Sequence, residues 1–99
     1  MCSAKTGGPS LEGVDLSRQA VIQGVVLNDG SPVQGAYVRL LDGGGEFTAE
    51  VPTSATGQFR FFAGPGSWTV RALAARGLAA ERKVVAALGE VAEVNVSLS

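Results

Sequence analysis

The sequence predicts an all-β domain built as a sandwich, and three observations carry that reading. From Ala20 onward, short apolar runs are broken by turn residues roughly every eight to twelve positions, the spacing of sandwich strands. The C-terminal run alternates with period two: Ala92, Val94, Val96 and Leu98 face one way, and Glu93, Asn95 and Ser97 the other. The chain's 99 residues, 45% hydrophobic and 17% charged, suffice for one core but not for two.

The first run covers residues 20–27, and Asn28-Asp29-Gly30-Ser31-Pro32 stops it with turn formers and a proline that withholds a ladder donor. The second, residues 36–41, ends at Asp42-Gly43-Gly44-Gly45. A third covers residues 47–51 and closes at Pro52. Thr56-Gly57 turns into the fourth, residues 58–62, and Gly64-Pro65-Gly66 leads into the fifth, residues 67–73. A four-residue hairpin loop at Ala63-Gly64-Pro65-Gly66 sets Phe62 opposite Ser67, Phe61 opposite Trp68 and Phe59 opposite Val70. Phe59, Phe61, Trp68 and Val70 then share a core face. Phe62 is left with Gln58, Arg60, Thr69 and Arg71 on the solvent side. Residues 72–88 are rich in alanine, leucine and arginine, and propensity alone makes 78–88 a helix. The competing reading is a loop at Arg76-Gly77 followed by a strand over 82–86.

Residues 1–19 differ from the rest. Gly7, Gly8, Pro9 and Gly13 stand among polar residues, and Leu11, Val14 and Leu16 are isolated from one another. The segment reads as a flexible or loosely docked tail before a domain spanning 20–99. Its start carries no apolar core of secretory length, and no stretch approaches the ~18 apolar residues of a membrane span. A cytoplasmic protein without membrane contact is expected.

The motif string adds a resemblance. Ile22-x-Gly24-x-Val26 and Asn28-x-Gly30-x-Pro32-Val33-x-Gly35-Ala36-x-Val38-x-Leu40 are followed by Thr56-Gly57-x-Phe59-x-Phe61 and Pro65-Gly66-x-Trp68-x-Val70. Residues 20–99 thereby resemble the carboxypeptidase regulatory-like domain, a sandwich similar to transthyretin. The resemblance implies seven antiparallel strands in Greek-key order, and it favours the strand over the helix at 82–86. Met1-Cys2-Ser3-Ala4, Phe47-Thr48-Ala49-Glu50-Val51, Phe59-Arg60-Phe61-Phe62 and Trp68-Thr69-Val70-Arg71-Ala72-Leu73 further resemble a family of small actinobacterial proteins of unassigned function. That resemblance implies a link to sulfur metabolism, because the family's genes neighbour thiosulfate sulfurtransferases.

Composition narrows the chemistry. No histidine is present, so no Ser-His-Asp triad and no His-ligated metal can be built. Among transthyretin-like relatives, hydroxyisourate hydrolases use histidines, and intradiol dioxygenases bind iron through two histidines and two tyrosines. With Tyr37 the lone tyrosine, neither activity carries over. A net charge of -1 gives no footprint for nucleic acid. No cofactor and no metal are expected. Asp42-Gly43-Gly44-Gly45-Glu46 lacks the lysine and helix of a phosphate loop and reads as a hairpin connection. Asp29, Asp42, Glu46 and Glu50 follow no EF-hand spacing.

Two features remain. Cys2 is the single cysteine. Once Met1 is removed its thiol lies beside the α-ammonium, which favours the thiolate and makes it a candidate sulfur acceptor, against an incidental thiol. The second feature is apolar surplus. With Ile22, Gly24, Val26, Val38 and Leu40 inward, the opposite faces carry Val21, Val25, Leu27, Tyr37 and Leu41, with Phe62 added. Val25, Leu27, Tyr37, Leu41 and Phe62 are the candidate interaction surface, covered either by the tail through Leu11, Val14 and Leu16 or by a partner or second copy. The expected function is therefore non-catalytic: a small interaction protein whose partner, by the family resemblance, is a thiosulfate sulfurtransferase. The alternatives are a persulfide carrier through Cys2 and a carbohydrate-binding module whose exposed aromatics are Tyr37, Phe47 and Phe62.

Overall fold

The computed structural model describes residues 19–98, which form two stacked β-sheets with no α-helix among them. Sheet I is organised around its central strand β1 (Ala20–Asn28). Val, Ile and Leu dominate this strand, as suits a pleated surface packed on one side. Asp29 and Gly30 both take positive φ, 55° and 81°, giving the tight primed turn into β2 (Ser31–Pro32). β5 (Gln58–Ala63) pairs antiparallel with β1 beyond β2, holding Val21 opposite Phe62 and Gln23 opposite Arg60. On the other flank run β8 (Val91–Glu93) and β9 (Val96–Leu98), both parallel to β1.

Sheet II contains β3 (Tyr37–Leu41), β4 (Phe47–Pro52), β6 (Gly66–Leu73) and β7 (Ala79–Ala86) in the order β4-β3-β6-β7, antiparallel throughout. A single 3-10 turn, Ala75–Gly77, joins β6 to β7. Between the sheets lie Ile22, Val26, Val38, Leu40, Phe59, Phe61, Val70, Val96 and Leu98, all buried. Each such side chain contributes roughly 1.5–3 kcal/mol relative to exposure. Thr53, the buried polar side chain among them, is satisfied: its hydroxyl donates to the Val33 carbonyl at 2.6 Å and accepts from the Ala36 amide at 2.9 Å.

The structure corrects the expected fold in four places. Sheet I is mixed rather than antiparallel. The turn after β7 returns to the beginning of β1, where Gly89 N–H donates to the Gln19 carbonyl and Val21 N–H to that of Glu90, so the chain must then run alongside β1 in the same direction. The C-terminal run is two strands, because Val94 and Asn95 break the ladder while the Asn95 Oδ1 accepts from the Val25 amide. With β2, this makes nine strands where seven were expected. The hairpin register between residues 58–62 and 67–73 does not form. β5 belongs to sheet I and β6 to sheet II, so residues 63–66 cross between sheets. Phe59 and Phe61 still face Val70 and Ala72, now across the core rather than within one sheet. Trp68 packs at the margin of that core and is half-buried, with its indole Nε1 donating to the Gly64 carbonyl at 3.0 Å. Residues 82–86 are a strand, as the resemblance favours, and it begins earlier, at Ala79.

Candidate functional site

The two outer faces of the sandwich carry all five candidate surface residues, and the structure divides them. Val25, Leu27 and Phe62 lie on the outer face of sheet I. Tyr37 and Leu41 lie on the outer face of sheet II. They are not one patch, because β1 and β5 share a sheet that excludes β3. Of the aromatics weighed for sugar stacking, Tyr37 and Phe47 belong to sheet II and Phe62 to sheet I. Cys2, Leu11, Val14 and Leu16 lie outside the described residues.

On sheet II the pairing registers stack the outward side chains into rows. One row runs Pro52, Tyr37, Leu73, Ala79 across β4, β3, β6 and β7. The next is charged: Glu50, Arg39, Arg71, Glu81. Two arginines directly opposite each other repel, and the flanking carboxylates offset this. Arg39 Nε meets Glu50 Oε2 at 2.7 Å, and Arg71 Nε stands 3.9 Å from Glu81 Oε1. Beyond lie Leu41 with its partner Phe47 past a bulge, then Thr69, Lys83 and the Ser67–Val85 pair. Tyr37 is 55% exposed, Phe47 62% and Val85 71%. Neither the arginine row nor the contribution of Leu73 and Val85 was expected. The alternation of each strand hints at them, but only the register shows that they align.

The outer face of sheet I is organised differently. Gln23 bridges the strands: its Nε2 donates to Glu93 Oε2 at 2.7 Å, and its Oε1 accepts from Arg60 Nε at 2.8 Å. Burial lowers the pKa of the Arg60 guanidinium from its ordinary value, and the charge of Glu93 opposes that shift. One step along, Val21 stands between Phe62 on β5 and Val91 on β8. Phe62 is 48% exposed, whereas Val21 has no exposed surface.

Two shallow grooves of about 330 Å³ each flank the sandwich, and the first borders the Thr69, Lys83 and Val85 end of the sheet II rows. One runs beside Trp68, lined by Gly43, Thr69, Lys83 and Val85. The other lies at the opposite end of the sandwich, over Val33, Ala36, Leu78 and Leu98 with Arg76 at its margin. Among the described residues, no group of three or more His, Cys, Asp or Glu side chains is assembled to hold a metal ion. Two of the acidic residues weighed for calcium are engaged locally: Asp42 Oδ1 accepts from the Gly44 and Glu46 amides within the β3–β4 hairpin loop, and Glu50 binds Arg39.

Among solved structures, the chain is similar to the dioxygenase domain of a dioxygenase carbohydrate-binding protein fusion from Streptomyces sp. SirexAA-E. The two share a TM-score of 0.64 at 14% identity over 96% of both chains. It is also similar to a DUF3823 family protein from Parabacteroides merdae, with a TM-score of 0.56 at 13% identity, over 84% of this chain and 47% of that one. At such identities the likeness is one of fold. In sequence, the uncharacterised proteins Rv0814c and Rv3118 of Mycobacterium tuberculosis are 61% identical over 79 residues, covering 78% of this chain and 79% of each relative. An uncharacterised protein of Mycolicibacterium smegmatis is 65% identical over 66 residues, covering 66% of this chain and 73% of the relative. A family model matches residues 2–98, and with these relatives it shows that the chain belongs to DUF1416, a family of proteins of unknown function.

Proposed function

We propose that this chain is a non-catalytic interaction module that docks a protein partner through the outer face of sheet II. The observation that carries the reading is the set of apolar side chains Tyr37, Phe47 and Val85, each more than half exposed, beside an ordered row of two arginines and two carboxylates. Exposed aromatics with arginine characterise the energetic centres of protein interfaces. The rigid ladder of four strands holds them in place, so little side-chain ordering opposes association.

The rest of the expected biology belongs to the same proposal. The partner is the thiosulfate sulfurtransferase that the family resemblance implies, and the setting is the cytoplasm. The carboxypeptidase regulatory-like, transthyretin-like affiliation is supported by the motif string of residues 22–70 and by a two-sheet fold. Dioxygenase chemistry, named for the Streptomyces neighbour, finds no support, since the chain has no histidine and one tyrosine.

The test is calorimetric titration of the full chain with a purified thiosulfate sulfurtransferase. Binding is expected for the wild type and for Phe62→Glu, and at least tenfold weaker binding for Tyr37→Glu and Arg39→Glu. Equal binding by all four proteins would reject the sheet II surface. Absence of binding by the wild type would reject the partner. A parallel incubation with the enzyme and thiosulfate reads Cys2: one added sulfur mass on the wild type, absent in Cys2→Ser, would replace docking with sulfur carriage.

A further inference from the structure

We propose that the outer edge of β7 is a self-association site. A second copy of this chain adds its own β7 there, antiparallel about a two-fold axis at Arg82, and Glu81 of each copy pairs with Lys83 of the other. This goes beyond the docking reading and stands whether or not the outer face of sheet II binds a partner.

The argument begins with main-chain groups. The Ala74 N–H donates to the Leu78 carbonyl at 2.8 Å, which makes these two a hydrogen-bonded pair at the start of the β6–β7 ladder. Such pairs recur at every second residue, so Ala80, Arg82, Val84 and Ala86 direct their N–H and C=O groups at β6. Ala79, Glu81, Lys83 and Val85 direct theirs the other way, where sheet II ends and no strand pairs among the described residues. Val85 is 71% exposed and the Glu81 side chain 54%, as befits an edge without a flanking strand.

The other edges are blunted. On β4, the Thr53 N–H donates to the Ala36 carbonyl, so the same alternation turns Pro52 outward, where it has no N–H to give. On β5, the outward groups of Gln58 are already used: its carbonyl accepts from the Ser54 N–H and its N–H donates to the Ser54 hydroxyl. The β8–β9 edge is interrupted at Val94 and Asn95. Among the described residues, β7 therefore offers the longest unbroken row of open main-chain groups.

Charge and register select a second copy as the occupant. Outward main-chain groups must face each other, so odd-numbered residues of one β7 stand opposite odd-numbered residues of the other. A two-fold axis at Arg82 sets Glu81 opposite Lys83 twice and Ala79 opposite Val85 twice, which uses every outward group. An axis at Glu81 or at Lys83 would instead oppose like charges and leave one end of the strand unpaired. Both partners are available: Glu81 is 3.9 Å from Arg71, and Lys83 has no ion pair among the described residues. The two Arg82 side chains meet on the inner side, but each guanidinium is turned to its own Asn95 carbonyl at 3.2 Å.

Sedimentation equilibrium of the full chain over a wide concentration range tests this. The wild type should move toward twice the monomer mass as concentration rises, and a mass that stays monomeric at millimolar concentration would overturn the proposal. Glu81→Lys and Lys83→Glu, which oppose like charges across the axis, should each associate at least tenfold more weakly. Their equimolar mixture restores both pairs and should associate within about threefold of wild type. A mixture no tighter than either variant by itself would reject the register. Strand amide signals that persist in both variants exclude unfolding as the cause. The Glu81, Lys83 and Val85 amides of the wild type should gain hydrogen-exchange protection as concentration rises. Protection already complete in the monomer would assign the edge to another segment of the same chain and overturn the proposal as well.

Discussion

The two outer faces of this sandwich are made by the same alternation of side chains and end in opposite states. On sheet II, Tyr37, Phe47 and Val85 stand more than half in water around four charges that pair with one another. On sheet I, Val21 is wholly withdrawn from water, and Arg60, Gln23 and Glu93 form a hydrogen-bonded chain across three strands. The contrast shows that an apolar residue facing outward has no fixed meaning. Val21 is withdrawn from water while Phe62 beside it is 48% exposed, and Tyr37, Phe47 and Val85 are more than half exposed, so the exposure of each side chain has to be read separately.

The largest test of this contrast is a matched pair of charges. Val21→Asp places a carboxylate where no water reaches and should cost about 3–5 kcal/mol, read as a large drop in the urea midpoint. Val85→Asp, at 71% exposure, should stay within about 0.5 kcal/mol of wild type. Similar midpoints for the two variants would erase the distinction between the faces.

Next comes the flank of sheet I that the parallel strands build. A Cβ on Gly24 would collide with the Val94 carbonyl oxygen, so Gly24→Ala must push β8 and β9 away from β1 and should cost roughly 1–3 kcal/mol. Gly43→Ala, near sheet II, meets the Ser67 carbonyl only at 3.6 Å and should be close to neutral. Hydrogen exchange should locate the loss at residues 91–98. A loss confined to residues 79–86 would contradict the assigned pairing.

Trp68→Ala is expected to cost about 2 kcal/mol, less than the 3–5 of a fully buried aromatic, because the ring sits at the core margin with one hydrogen bond to Gly64. Thermal unfolding checks it, and a loss at the full-burial value would place the ring deeper than the structure does. Smallest is Arg39→Ala. Its ion pair with Glu50 is partly solvated, so stability should fall by well under 1 kcal/mol and the difference should shrink further in high salt. A salt-insensitive loss would mean that Arg39 acts through packing of its aliphatic stem instead.

Much of this was legible in the residues. Turn chemistry at Asp29-Gly30 and at Asp42-Gly43-Gly44-Gly45 bounds the strands where the structure bounds them. Period-two alternation identifies Ile22, Val38, Leu40, Phe59, Phe61 and Val70 as inward, and all are buried. The hairpin between β5 and β6 illustrates what alternation cannot distinguish. Phe59 and Phe61 face Val70 whether the two strands are hydrogen-bonded neighbours or lie across a core, because burial rewards the contact either way. The candidate surface was divided for the same reason: outward orientation is local, whereas contiguity depends on which strands share a sheet.

The sequence by itself determined the predominantly β character, the limits of the longer strands before residue 74 and the inward or outward sense of most side chains, since these follow from turn residues and a period of two along one strand. Only the tertiary structure decided strand order, the parallel course of β8 and β9, the alignment of Arg39 with Arg71, and the burial of Val21. Each of these is set by hydrogen bonds and packing between segments far apart in the chain, where many pairings satisfy the same local pattern and only the closure of a common core selects one.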